Sequence, residues 1–511
     1  MNPVKALALP RGDWALVAGG AVLLALAYPP FHLFLPSFLC LVPVVWLIRS
    51  GAEDARPLRR HLVQGFWFGM IGNGLVLYWM VVALWHFTPL AGLGYALSML
   101  VLGLYGAVLF SLTGWIVRRT RLSVLVVFPI LWTVAEWVLG HQGDIRFPWL
   151  GLGTSLTGFP TAVQIADVVG ARGVTYLLAL ANVALAVAWL ERADRRRAVG
   201  LVVAVVAGVS AAIGYGLVRE RTLDVRSVGT IAVLQPNIGS EEKWDAGGND
   251  IVLQQLRLAE RAIDVSQPEL VVWPEAALPG VLATHPAWAA AVGALSRQAG
   301  TPQFLGAIHL EWRTADTYDY YNSSFLVDTL GRWDAQPPYH KRYLVPVTER
   351  VPFFPPSWFN QFDYFGGASP GDTAPIFEIA VGRFGALICY ESAFEDLSRR
   401  YRADGADFIV NITNDAWFGR TSGPYQHAAH LVMRAIENRV GIARAANSGI
   451  SEFVDPLGRT AARTPLYVET HRAETLMTTD VRTLHTRLGD WVGTTVLVLA
   501  VALVAFAWSR R

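Results

Sequence analysis

FGALICYESAFED, residues Phe384 to Asp396, opens with an apolar run that ends at a cysteine, a tyrosine and a glutamate. The apolar residues do not alternate with polar ones, so the run reads as a strand buried on both faces. A strand of that kind belongs in a layered domain whose helices cover the sheet. The chain has two cysteines, and this one, Cys389, closes the strand next to Glu391. A thiol used only for packing needs no acidic neighbours, whereas a nucleophile draws on nearby charge.

The surrounding sequence follows the same grammar. GTIAVLQPNI from Gly229, ELVVWPEAALP ending near Glu275, PQFLGAIHL, YYNSSFLVD, YHKRYLVP and ADFIVNITND read as strands. The segment 250–264, HPAWAAAVGALSRQAG and HAAHLVMRAIENRV read as helices. Gly382 marks a hairpin turn before the opening strand, and Asn447 to Gly449 a second turn. Three polar residues, Glu275, Lys341 and Cys389, fall at strand ends, where a rigid sheet gathers side chains from distant positions.

The rest of the 511-residue chain is different. The full chain is 53% hydrophobic and 16% charged, too apolar for a purely soluble protein. Apolar runs at roughly 14–29, 34–48, 62–85, 91–117, 122–139, 172–190 and 198–218, and another at 489–508, approach the length of about 20 residues that crosses a bilayer. The second is short and carries Pro36 and Pro43, and it also holds Cys40, out of reach of Cys389. About eight transmembrane helices are therefore expected: seven in a membrane domain over 1–218 and one over 488–511. The block 219–487 hangs between them. The first run follows a short basic region but no small-residue cleavage site, so it reads as a retained helix.

Arginines fix the expected orientation. Arg49, Arg56, Arg59 and Arg60 follow the second run, Arg118, Arg119 and Arg121 the fourth, and Arg192, Arg195, Arg196 and Arg197 the sixth. Basic loops stay in the cytoplasm. Both termini are then cytoplasmic, and the 219–487 block faces the periplasm, an oxidising compartment where a lone thiol stands out. A net charge of +2 with no dense basic tract argues against nucleic acid as a partner.

Singly, Glu275, Lys341 and Cys389 have ordinary explanations as a helix cap, an exposed lysine and a packed thiol. Together they suit covalent acyl chemistry: Cys389 as nucleophile, Glu275 as proton carrier, and Lys341 with the Tyr390 N–H as oxyanion donors. His427 and His430 stand one helical turn apart, a spacing two metal ligands use, but no further ligand cluster accompanies them and no metal is assigned. A membrane-tethered hydrolase and a catalytically silent scaffold are the competing classes.

The segments VVWPEAALP, HKRYLVPVTE and ICYES resemble the nitrilase superfamily, which implies an α-β-β-α sandwich with a Glu-Lys-Cys triad. With the membrane spans and the tracts NITNDAWFG, QHAAHLVMRAIENR and AANSGIS, the whole chain resembles the apolipoprotein N-acyltransferase family. The resemblance implies that Cys389 takes an acyl chain from a phospholipid, typically phosphatidylethanolamine, as a thioester. The chain then passes to the N-terminal amine of a diacylglyceryl apolipoprotein, by a monomer and without a cofactor. It assigns Glu275 as base, Lys341 as stabiliser and Cys389 as nucleophile, and it gives Glu349, Tyr390, Glu391, Trp244, Asn322, Trp417 and Phe418 supporting or substrate-binding roles. This chain reads LVPVTERVP where the family pattern is LVPFGEYVP, so Val347 and Thr348 replace Phe-Gly before Glu349. The aromatic tract VPFFPPSWFNQFDYFGG, with Phe353, Phe354 and Trp358, is expected near the outer leaflet with Trp417 and Phe418, lining an entry for acyl chains.

Overall fold

The computed structural model describes residues 7–52, 54–86, 89–239, 248–314, 318–355, 358 and 367–510. The chain forms two compact units. One comprises Met1–Gln142, Phe147–Thr222 and Leu488–Arg511, the other Gly143–Arg146 and Leu223–Arg487.

The first unit is helical: α1 Arg11–Ala27, α2 Phe34–Leu39, α3 Val42–Ala52, α4 Pro57–Val76, α5 Trp79–Trp85, α6 Ala91–Thr120, α7 Val124–Gly140, α8 Ala166–Leu190 and α9 Arg195–Thr222, with α15, Trp491–Ser509, from the C-terminal end. Among the described residues, five helices are long and apolar enough to cross a membrane, or six if the bent pair α4 and α5 is one span. The expectation of about eight is not reached by this measure. α1 and α7 each have 17 residues, and the proline-bearing second run divides into α2 and α3, which together span 19 residues. Composition still requires hydrocarbon. Helix α9 buries only 6% of its most apolar window against the rest of the protein, an exposure water would penalise heavily.

Small residues let the bundle close. On α4 and α6, a Cβ at Gly65 would lie 2.2 Å from the carbonyl oxygen of Gly106, so the two backbones touch where no side chain intervenes. Buried charge is paired: Glu136 accepts hydrogen bonds from Trp132, Thr175 and the Leu152 N–H and lies 3.7 Å from Arg172.

The second unit is a four-layer sandwich. One six-stranded sheet has the order β12-β1-β2-β3-β4-β5, the other β11-β10-β9-β8-β7-β6. Their strands are β1 Arg226–Gln235, β2 Leu270–Val272, β3 Gln303–Trp312, β4 Tyr318–Val327, β5 Tyr339–His340, β6 Ile376–Ile379, β7 Gly382–Ile388, β8 Phe408–Thr413, β9 Gly441–Ala446, β10 Glu452–Val454, β11 Thr460–Ala461 and β12 Thr470–Thr478. Helices α10, Gly248–Ser266, and α11, Pro286–Ala299, cover the first sheet, and α12, Glu395–Ala403, and α13, Gly423–Asn438, the second. A short α14, Leu484–Leu488, follows β12.

The central strands β1 to β3 and β7 to β9 run parallel, and β2, β8 and β9 are buried throughout, the last two with their polar Asn411, Thr413 and Arg444 also inside. Phe304 of the first sheet meets Phe377 and Phe384 of the second at ring distances of 5.1 Å, so interlocked aromatic rings hold the sheets together. The hairpin β6–β7 expected at Gly382 is present, with a two-residue connection and Gly382 as the first residue of β7 at φ +147°.

Candidate active site

Strand ends deliver the site. Glu275 lies just past β2, Lys341 directly after β5, Cys389 directly after β7 and Asn414 directly after β8. Gly306 in the middle of β3 makes room for Glu275: a Cβ there would sit 2.5 Å from the Ala276 nitrogen and 2.9 Å from the Glu275 Cα.

Lys341 is 1% exposed and shared between two carboxylates. Its Nζ donates to Glu349 Oε1 at 2.7 Å and to Glu275 Oε1 at 3.4 Å. Burial alone would push its pKa down, but Glu349, Glu275 and the nearby Cys389 more than offset that, holding it well above the usual lysine value. The ammonium is therefore a fixed cation. Asn322 ties the carboxylates together, its Nδ2 donating to Glu275 at 2.7 Å and Glu349 at 3.3 Å, while the Asn414 N–H donates to the other oxygen of Glu275 at 2.8 Å. Glu349 reaches Lys341 although its loop lacks the pattern's glycine. The positive φ of that loop, +72°, falls on Val347, two residues ahead of Glu349.

Cys389 adopts φ +51°, a left-handed conformation rare for a residue with a side chain, at the start of a 3-10 turn, Cys389–Ala393. Burial raises its thiol pKa; the charge of Glu275 raises it further and Lys341 opposes the rise. The net shift is upward, so the resting sulfur is a thiol, and a base must take its proton as it attacks. Two buried carboxyl groups brace this turn. Glu391 accepts from the Ile388 N–H at 2.7 Å through one oxygen. Through the other it accepts from the Arg342 N–H at 2.7 Å, the Tyr343 N–H at 3.2 Å and the Tyr339 hydroxyl at 2.6 Å. It thus joins the segment carrying Lys341 to the segment carrying Cys389. Tyr390 is buried, its hydroxyl donating to the Arg146 carbonyl at 2.8 Å.

Asp415 and His427 form the second brace, which the sequence reading did not assign. The Nε2–H of His427 donates to the Cys389 carbonyl at 2.9 Å, and its Nδ1 lies 2.8 Å from Asp415, which also pairs with Arg444 at 2.8 Å. Arg444 and His427 together hold the Asp415 carboxyl down at about 2 against the opposing effect of burial. Both ring nitrogens of His427 are engaged in these bonds, so it does not pair with His430 as a ligand. The available signal was an arginine and an aspartate in tracts otherwise apolar enough to be fully buried.

Trp417 and Phe418 are half-buried, and Phe418 packs edge-on against the His427 ring at 5.8 Å. Phe353, Phe354 and Trp358 are exposed at 73%, 48% and 61%. Trp244 lies outside the described residues.

Comparison with known proteins adds to this geometry. Residues 20–184 match the model of the apolipoprotein N-acyltransferase N-terminal domain, and residues 230–483 that of the carbon-nitrogen hydrolases. The apolipoprotein N-acyltransferase of Geobacter metallireducens is 33% identical, the match covering 99% of this chain and 97% of that one. Those of Brucella melitensis and Bradyrhizobium diazoefficiens are each 32% identical, covering 85% and 96% of this chain and 84% and 93% of theirs. A crystallised amidase from Nesterenkonia sp. is 18% identical with a TM-score of 0.38, over 52% of this chain and 95% of its own.

Proposed function

The chain belongs to the apolipoprotein N-acyltransferase family, and from that premise we propose that Glu275, Lys341 and Cys389 carry out a two-step acyl transfer. The enzyme is a membrane-bound acyltransferase that N-acylates lipoproteins. The observation that carries the mechanism is the Lys341 ammonium held between Glu275 and Glu349, beside a cysteine whose thiol is kept protonated.

In the first step Glu275 takes the thiol proton as Cys389 Sγ attacks the sn-1 ester carbonyl of a phospholipid, typically phosphatidylethanolamine. Lys341 and the Tyr390 N–H stabilise the oxyanion. The intermediate collapses, the ester C–O bond breaks, and the lysophospholipid leaves with the proton from Glu275. In the second step the α-amine of an S-diacylglyceryl cysteine attacks the thioester, Glu275 accepts an amine proton, and the thiol is restored as the amide forms. Asn322 and Glu349 position the two charged groups, and Glu391 and Tyr390 hold the nucleophile turn. Trp417 and Phe418, with Phe353, Phe354 and Trp358, line the entry for acyl chains, and Trp244 supports substrate binding. All three reacting side chains come from one chain, so a monomer suffices. The catalytic domain, 219–487, faces the periplasm, with the 1–218 membrane domain, the final helix and both termini arranged as the positive-inside pattern requires.

Hydrolysis by water is the rival outcome, and it is disfavoured because the family match extends through the membrane unit. The test is to incubate the purified protein with phosphatidylethanolamine of defined sn-1 chain and a diacylglyceryl-cysteine peptide. Peptide gaining the mass of that chain, with little free fatty acid, supports the transfer. Fatty acid release that ignores the peptide contradicts it.

A further inference from the structure

A second cluster lies on the other face of the first sheet. His309 and Glu311 are two apart on β3 and so share a face. Across the ladders His309 opposes Tyr321, and Ser323 opposes His340, which sets all five side chains on that face. Leu305, Ala307 and Phe325 continue it into the core beneath α10 and α11. Lys341, one residue beyond His340, is on the opposite face with Glu275, so two sites stand back to back on consecutive residues.

The ligand atoms of His309, Glu311 and His340 lie within 4.8 Å of one another, and His340 Nε2 is 3.4 Å from a Glu311 oxygen. A tetrahedral ion with bonds of about 2.1 Å separates its ligands by about 3.4 Å. The Ser323 hydroxyl lies 2.7 Å from His340 Nδ1, so that ring nitrogen is engaged within the sheet. With Nδ1 engaged, His340 presents Nε2 to the Glu311 carboxylate, the nitrogen a metal ion would take with that carboxylate. His309 Nδ1 is buried and has no hydrogen-bond partner among the described residues. The His340 ring is fixed by stacking on Tyr321 at 4.3 Å and on His309 at 5.2 Å. Glu311 is 44% exposed, which gives an ion a path from solvent.

We propose that His309, Glu311 and His340 bind one transition-metal dication of the zinc class, with water completing its shell. Two imidazoles and one carboxylate suit that class rather than magnesium or calcium. Bound there, the ion ties β3 to β5 across β4 and secures the strand end from which Lys341 leaves the sheet. His309 and Glu311 are two apart on β3, but His340 lies 29 residues beyond Glu311 and joins them only through the sheet.

The test uses the full chain, purified in detergent without a histidine tag, stripped with a chelator, loaded with zinc chloride and desalted. Elemental analysis should find about one zinc per chain, and cobalt in its place should give the intense visible bands of a four-coordinate site. Glu311→Gln, at an exposed position, and His309→Gln should each lose the retained zinc and the cobalt bands. Both should melt like the parent in chelator, and only the parent should melt at a higher temperature with zinc. A parent that retains no more zinc than Glu311→Gln, or variants that keep the full equivalent, would overturn the assignment.

Discussion

Glu391 gives a sharp test of how the site is held. Its carboxylate receives four hydrogen bonds, three from backbone N–H groups and one from Tyr339. Glu391→Ala leaves all four donors without it in a fully buried position. Each orphaned buried donor costs about 1–3 kcal/mol, so the sum is about 4 kcal/mol or more, against a total stability for a folded domain of about 5–15 kcal/mol. Glu391→Gln should behave differently because the bonds are unevenly divided. An amide oxygen placed where Oε1 stands keeps three donors, and only the Ile388 N–H then meets an NH2 group, a loss of about 1–3 kcal/mol. The assay is the thermal midpoint in detergent at fixed scan rate, paired with the rate of peptide acylation. Alanine should abolish activity and lower the midpoint strongly, with glutamine intermediate in both. Parent-like behaviour of Glu391→Ala, or equal damage from the two variants, would refute the reasoning.

The remaining tests follow from charge and exposure. Burial raises Glu391 from its ordinary value of 4.5 to about 7 despite its hydrogen bonds. A raised carboxyl contributes stability that is complete below about 4.5 and lost as pH rises through about 7, here about 3 kcal/mol at about 1.4 kcal/mol per unit. The midpoint of the parent relative to Glu391→Gln should fall across that window; a flat difference would contradict the shift. Glu275→Gln removes an anion that raises the Cys389 thiol, so iodoacetamide should modify Cys389 faster near pH 8, while acyl transfer falls by about 10²-fold or more. Both rates falling together would argue against Glu275 as base. Replacing Phe353, Phe354 and Trp358 with serine should raise the phospholipid concentration needed for half-maximal acylation; unchanged kinetics would return that segment to a packing role.

Much of the α/β unit was legible because its signals are local. The mostly apolar runs at β2, β7 and β8 and the turn residues beside them mark buried parallel strands; Glu275 and Cys389 follow β2 and β7, while Lys341 follows the short β5. The edge strand β12, which pairs with β1 from more than 200 residues away, carries the mixed sequence THRAETLMT and gave no such signal. The brace of Asp415, His427 and Arg444 was hidden for a related reason: each residue is ordinary in its own tract, and only the packing of α13 and β9 on the nucleophile turn makes it a partner of Cys389. The helical spans were visible as apolar runs, but breaks such as the 65° bend between α4 and α5 depend on packing that composition does not record.

The most direct test of the acyl relay is the intact mass of the purified enzyme after incubation with phosphatidylethanolamine. The relay predicts one hydroxylamine-sensitive adduct with the mass of an acyl chain, absent in Cys389→Ala and discharged quickly by a diacylglyceryl-cysteine peptide but slowly by buffer. An adduct that persists in Cys389→Ala, or peptide acylation proceeding at full rate in that variant, would contradict it.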